Sequence, residues 1–207
     1  WRSKKEEGGG ALYDYAAHPV DLLTWYFGRP EFVAGTVLGQ VFSAETEDEV
    51  FTTLAWAGGM SGQLSVSWSD DSQRKMTTRI SVWGTNGKAY ADRQELQVYL
   101  RDAASAPNGY GPGWTVRYTT ELTEEVDFYV RGEEYSAQLD HFFRCIVDGR
   151  QENVSSFASA TQTDRVVSAM LQNAGDAKRQ VDAGITKPSQ SGGRSGGFLS
   201  SVRGALR

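Results

Sequence analysis

From about Glu31 to Leu122 the apolar residues recur at every second position. That period, held across the middle of the chain and flanked by helical spacing at both ends, narrows the possible folds more than any other feature. Segments 32–42, 49–56, 60–69, 76–83, 87–91, 94–100 and 114–121 read as strands, rich in Val, Thr, Trp, Tyr and Phe. Within 62–68, Leu64, Val66 and Trp68 alternate with Gln63, Ser65 and Ser67, which predicts one buried and one polar face. Gly58-Gly59 separates two strands. Asn86-Gly87 suits the positive backbone angles of a tight hairpin, and residues 102–113 read as a loop. Strands joined by turns, with no helix between them, pair antiparallel. Segregated helix, strands and helices predict an α+β domain and argue against a parallel βαβ arrangement.

The flanking helices are marked by their own signals. Leu12, Tyr15, Ala16, Leu22, Leu23, Tyr26 and Phe27 recur at helical spacing up to Gly28, a C-terminal stop. Pro19 lacks a backbone donor, so the helix either kinks there or restarts with Pro19 in its first turn. Near the other end, Tyr135, Leu139, Phe142, Phe143 and Ile146 form an apolar stripe closed by Asp148-Gly149. Ser155 or Ser156 is placed to cap a last helix carrying Ala160, Val166, Val167, Ala169, Met170 and Leu171. Residues 1–184 are thus expected to form the domain, with 185–207 a flexible Gly/Ser/Arg tail.

Several function classes are disfavoured by composition. With 39% apolar residues, six Trp, nine Tyr and nine Phe, the chain can bury a core. A net charge of -5 argues against nucleic acid as the main partner. Cys145 is the single cysteine, so no intrachain disulfide is expected, and a reducing cytoplasm is the natural reading. It sits in the apolar stripe and is expected to be a packed thiol. No stretch is apolar over the roughly 20 residues that a membrane span needs. The chain opens at Trp1 rather than Met and is read as part of something longer.

The first candidates for chemistry are Asp14 and His18, four residues apart on the first helix. A carboxylate beside an imidazole orients its tautomer and makes a general acid/base usable near neutral pH. His141, next to Asp140, is expected to pack against a helix. Two His and one Cys far apart give zinc little support, and no metal ligands are assigned. Gly8-Gly9-Gly10 precedes a helix but follows a charged run, does not match Gly-x-Gly-x-x-Gly, and opens no βαβ unit. No dinucleotide site of its own is therefore expected in this chain, and its cofactor-binding residues stay unassigned. Arg74 and Lys75 end a polar cluster from Trp68 that could clamp a carboxylate or phosphate, or simply form a solvated hairpin end.

The run from Gly8 through Asp14, His18 and Asp21 to Leu23 resembles a motif of the Gfo/Idh/MocA oxidoreductases, roughly G-G-G-x-L-x-D-x-x-x-H-x-x-D-L. Trp25 to Pro30, Val82 to Gly87 and Phe142 to Asn153 are also similar to that family, so the resemblance covers about residues 1–175. It implies a C-terminal domain built on an open, mostly antiparallel sheet with helices packed on one face. It implies that the sheet's other face makes a homodimer or homotetramer contact. It implies hydride transfer between a sugar or nucleotide-sugar hydroxyl carbon and NAD or NADP, the cofactor being held mainly by an N-terminal Rossmann domain that these residues do not contain. His18 would be the acid/base and Asp14 its neighbour, with Arg2, Lys4, Tyr13, Arg74 and Lys75 as substrate contacts. The family's lysine in a Glu-Lys-Pro-like motif is absent, so the chain alone is expected to be inactive. Trp68 to Lys75 with Gly84 to Arg93 is most similar to members from polysaccharide or nucleotide-sugar biosynthesis. The alternative is a catalytically inactive module for sheet-mediated oligomerisation or ligand binding.

Overall fold

The computed structural model describes residues 1–68, 77–104, 106–130, 133–151 and 153–184. Arg74, Lys75 and the 185–207 tail lie outside them. A short 3-10 turn, Lys5–Glu7, and a π-helical turn, Leu12–Ala16, lead into α1 (Ala17–Phe27). Among the described residues seven strands follow: β1 (Phe32–Gly39), β2 (Glu49–Ala55), β3 (Ser61–Ser67), β4 (Ile80–Gly84), β5 (Gly87–Ala91), β6 (Glu95–Leu100) and β7 (Gly113–Tyr118). Then come the short α2 (Thr119–Leu122), α3 (Glu133–Val147) and α4 (Phe157–Gly184). Every ladder is antiparallel. The strands divide into two open sheets, β1-β2-β3 and β4-β5-β6-β7, where the pattern alone suggested one.

The core lies between the first sheet and two helices. Val50 pairs with Val66 and Thr52 with Leu64, so these side chains share a face. Against that face pack Leu12, Ala16 and Val20 from the first helical segment, and Val166, Val167 and Met170 from α4. A fully buried aliphatic side chain of this size contributes roughly 1.5–3 kcal/mol. The outer face of β3 carries Gln63, Ser65 and Ser67, all exposed, as the alternation predicts. Trp56 donates its indole N–H to the Gly28 carbonyl at 2.7 Å and meets Phe27 edge-on, fastening the end of α1 to β2.

Two devices fix the helices and the β1–β2 loop on this sheet. Register slips between Ala34 and Val37, where Gly35 takes a positive φ of 60°, a bulge that removes the Thr36 N–H from the ladder. The side-chain oxygen of Asn173 on α4 accepts that N–H at 2.8 Å. Asp48 is fully buried, and its carboxylate accepts N–H bonds from Val41 at 2.9 Å, Phe42 at 2.7 Å and Ser43 at 2.5 Å. Burial raises its pKa, but these three bonds outweigh burial and hold the group below the ordinary aspartate value.

The second sheet departs from expectation in its first turn. The β4–β5 hairpin forms, yet the linking residues are Thr85 and Asn86, and neither has a positive φ. Glycine at 87 is required for another reason: a Cβ there would lie 1.9 Å from the Tyr99 carbonyl oxygen on β6. The α3 stripe also differs from what its amphipathicity predicts. Tyr135, Phe142, Phe143 and Ile146 are all at least half exposed, while Ser136 and Cys145 are buried. Residues 127–130 cross this helix, Val130 exchanging hydrogen bonds with the Ser136 hydroxyl and Asp127 donating to the Asp140 carboxylate. The Cys145 sulfur lies 3.6 Å from His141 Nε2 inside that packing. Among the described residues no helix is long and apolar enough to cross a membrane.

Candidate functional site

The triple glycine is shaped by close packing. Gly9 donates to the Lys4 carbonyl at 3.0 Å and Gly10 to the Arg2 carbonyl at 2.9 Å. A Cβ on Gly9 would sit 2.3 Å from the Arg2 carbonyl oxygen. Gly10 has φ of 121°, and a Cβ there would strike the Glu47 carboxylate at 2.1 Å. Glu47 reaches this point from the β1–β2 loop and accepts the first free donors of the helix. Ala11 N–H bonds its carbonyl at 2.9 Å, and Leu12 N–H bonds Oε1 at 3.1 Å. A helix start favours one anion, and here the chain supplies it. The carboxylate would repel a pyrophosphate, so this glycine-rich start does not fit a nicotinamide dinucleotide.

Asp14 lies in the π-helical turn and His18 in the α-helix that follows it. Leu12–Ala16 runs with π-helical i→i+5 bonding, and α1 begins at Ala17 with Pro19 inside its first turn. The Asp14 carboxylate meets Arg2 Nε at 3.1 Å. Among the described residues no hydrogen bond or ion pair joins Asp14 to His18. Lys4 is engaged by Glu7 at 3.0 Å. That bond is the first cause holding the Glu7 carboxyl below its ordinary value. Tyr13 is half exposed. The N-terminal segment thus brings Arg2 onto Asp14, while Lys4 is held by Glu7.

His18 is exposed, with its ring edge-on to Tyr15 at 6.4 Å, and it lines a cleft of about 550 Å³. One wall comes from α1: His18, Asp21, Leu22 and Trp25 lie at positions i, i+3, i+4 and i+7, one face of a helix. The opposite wall is Val154 and Ser155 before α4, and Ser159 and Gln162 on it. The two walls are joined where the Thr163 hydroxyl donates to Asp21 Oδ1 at 2.8 Å. Ser156 Oγ accepts the Ser159 N–H at 3.1 Å and so caps the start of α4, fixing where Ser159 and Gln162 fall. Chemically, the cleft sets an imidazole beside one carboxylate and several hydroxyl and amide groups.

Sequence reasoning missed Glu47, Ser159 and Gln162 as site residues, and Asp21 entered it only as part of the opening motif. Asp21 stands within the opening motif, three residues after His18, so a spacing signal existed. Ser159 and Gln162 gave none, because they reach the cleft only through the packing of α4 on α1.

Residues 1–90 match the family described as the GFO/IDH/MocA C-terminal domain. No curated protein sequence matches the chain. Among solved structures, a levoglucosan dehydrogenase in complex with NADH and levoglucosan shares the fold with a TM-score of 0.66 and 24% identity, over 82% of this chain and 50% of that one. An NAD binding oxidoreductase from Klebsiella pneumoniae gives 0.65 and 22%, over 86% and 52%. The WlbA dehydrogenase from Bordetella pertussis, in complex with NADH and UDP-GlcNAcA, gives 0.56 and 20%, over 82% and 47%. The chain spans about half the length of the structures it matches. At these identities the likeness establishes a common fold.

Proposed function

Because the chain belongs, through residues 1–90, to the family of the GFO/IDH/MocA C-terminal domain, we propose that it is the substrate-binding part of an NAD(P)-dependent oxidoreductase. The complete protein would transfer a hydride between a sugar or nucleotide-sugar hydroxyl carbon and nicotinamide. The cofactor would be held mainly by a separate N-terminal nucleotide-binding domain, in keeping with the poor fit of a dinucleotide at Gly8–Gly10. The observation that carries the reading is His18 in a cleft of about 550 Å³ walled by hydroxyl, amide and carboxylate side chains. That volume lies in the range of small-molecule sites. His18 exchanges the proton of the reacting hydroxyl, while Asp14, held by Arg2, stands at the adjoining turn.

The sugar complexes of the structures sharing this fold support a saccharide substrate. Arg2, Lys4, Tyr13, Arg74 and Lys75 are proposed as further substrate contacts. Without the nucleotide-binding domain the chain by itself is expected to be inactive, and a cytoplasmic location is expected for the whole. The test is reduced-nicotinamide absorbance with the complete protein, NAD or NADP, and a panel of neutral and nucleotide sugars. Cofactor-dependent turnover of at least one sugar is expected. A complete protein that binds neither cofactor nor sugar would remove the oxidoreductase reading.

One observation favours a second role. In the second sheet Trp83, Lys88, Tyr99 and Trp114 pair in register across all four strands, so they share a face. Trp83 is 70% and Trp114 51% exposed, and the Lys88 ammonium stands 5.1 Å from the Trp114 ring centre. Large exposed aromatic faces mark contact surfaces. We assign this face to a homodimer or homotetramer contact, which would persist even if catalysis were lost. Light scattering of the chain tests it: a strict monomer at all concentrations counts against the assignment.

A further inference from the structure

The aromatic face of the second sheet changes character along its strands. Register sorts its side chains into rows. Trp83, Lys88, Tyr99 and Trp114 form the first row. Two residues along each strand, Ser81, Tyr90, Gln97 and Val116 form the middle row. Two further on come Arg79, Asp92, Glu95 and Tyr118. Here Glu95 pairs with Tyr118, and the Asp92 N–H bonds the Glu95 carbonyl at 3.1 Å to close the β5–β6 hairpin. The first row carries bulk, with Trp83 and Trp114 both exposed. The middle and third rows instead surround a hollow of about 330 Å³, lined by Arg79, Ser81, Tyr90, Asp92, Glu95 and Gln97. Among the described residues Lys88 meets no carboxylate, and its ammonium rests 5.5 Å from the Tyr90 ring centre and 5.1 Å from that of Trp114. Bulk and a cation at one end, with a hollow and two carboxylates at the other, make this face complementary to itself turned end for end.

Resting on the assignment of this face to contact between copies, we infer that two chains stack about a two-fold axis running across the strands, so that the first row of each lies over the third row of the other. Each strand then lies antiparallel over its own copy, and all four pairs of residues are complementary. Lys88 lies over the partner's Asp92, beside the partner's Glu95. Trp83 takes the partner's Arg79 on its ring, Tyr99 donates its hydroxyl to the partner's Glu95, and Trp114 meets the partner's Tyr118. Each contact occurs twice, as a self-paired interface requires. Stacked sheets lie about 10 Å apart, a gap that an extended lysine and an aspartate bridge together. Within one chain the same two groups stand four residues apart on β5, about 13 Å along the strand, too far to pair. The other face-to-face arrangement, with the axis along the strands, sets each row on its like. It brings Asp92 over the partner's Glu95, carboxylate on carboxylate, and leaves the hollow facing a hollow. Like charges so placed oppose association, which selects the first arrangement.

The experiment is sedimentation equilibrium of the 207-residue chain at low salt, as wild type, Lys88→Glu, Glu95→Lys, and the two variants mixed one to one. Asp92 is left in place because its carboxylate accepts the Gln94 and Glu95 N–H groups of the turn. Lys88→Glu sets a carboxylate against two others at both symmetric positions and should weaken self-association about a hundredfold, roughly tenfold at each. Glu95→Lys should weaken it about tenfold. The mixture should associate within about tenfold of wild type, because the introduced carboxylate of one variant then meets the introduced ammonium of the other. Such rescue requires the two positions to meet between chains. Far-UV circular dichroism matching the wild type shows that each variant is folded. Salt gives a reading that needs no variant: wild-type association should weaken as NaCl rises from about 0.05 to about 0.5 M. A mixture no tighter than the better of the two variants overturns the inference, as does wild-type association that strengthens or holds constant with salt. A Glu95→Lys variant tighter than wild type also overturns it, and marks rows meeting like rows. Those results leave a contact between copies standing, whereas a wild-type chain monomeric at all concentrations sinks the assignment of the face itself.

Discussion

Replacing Asp48 by alanine removes the acceptor of three backbone N–H groups at once, those of Val41, Phe42 and Ser43. Each hydrogen bond to a charged group contributes about 1.5–3 kcal/mol, so the sum would be very large if the losses simply added. Two effects reduce it. The side chains of Val41 and Phe42 are 59% and 62% exposed, so water can reach their N–H groups once the carboxylate is gone. The variant also escapes the desolvation cost of a buried charge. A net loss of about 3 kcal/mol remains, which for a chain of this size corresponds to a fall in Tm of roughly 6–12 °C. Asp48→Asn keeps the shape and one acceptor oxygen but turns a donor toward the loop, and should cost about 2 kcal/mol. Urea unfolding followed by tryptophan fluorescence measures both. A loss in Asp48→Ala smaller than about 0.5 kcal/mol, the range of an ordinary surface change, would refute the claim that this carboxylate holds the loop.

Three further outcomes follow from the same geometry. Since the folded pKa of Asp48 is depressed, its stabilisation is fully present above the ordinary aspartate value. It is lost as pH falls through the folded value, so between about pH 4 and lower the wild type should lose stability more steeply than Asp48→Asn in acid titrations of unfolding. Asn173→Ala strands the Thr36 N–H in the β1 bulge and should cost about 2 kcal/mol, read as a shift of the urea midpoint with an unchanged slope. Gly87→Ala drives a methyl group into the Tyr99 carbonyl and should cost about 2–3 kcal/mol, whereas Asn86→Ala, with no positive φ to support, should change calorimetric stability little.

Local chemistry made much of the fold legible in advance. The Gly28 stop, the Ser156 cap and the alternation of Leu64 and Val66 with serines each depend on residues within a turn or a strand of one another. What escaped was set by longer range. A proline at 19 signals disturbance of a helix, but not the i→i+5 bonding over Leu12–Ala16 or the Glu47 contacts at its start, which come from a distant loop. Asn86-Gly87 reads as a turn that needs positive φ, yet the glycine answers to β6, a strand away. The α3 stripe has core composition and is still largely exposed, while residues 127–130 bond Ser136 and Asp140 on the same helix. In the site, His18 could be picked out by its motif, while Asp21 and Gln162 come together only through the α1–α4 contact.

The central claim is that His18 moves the proton of a bound sugar hydroxyl. Its most direct measurement is the turnover of the complete protein carrying His18→Ala, with its best sugar and saturating nicotinamide cofactor. A fall in kcat of about a hundredfold or more, with sugar binding at the Trp25 cleft retained, is predicted for loss of a general acid/base. Turnover within a few-fold of the wild type would contradict it.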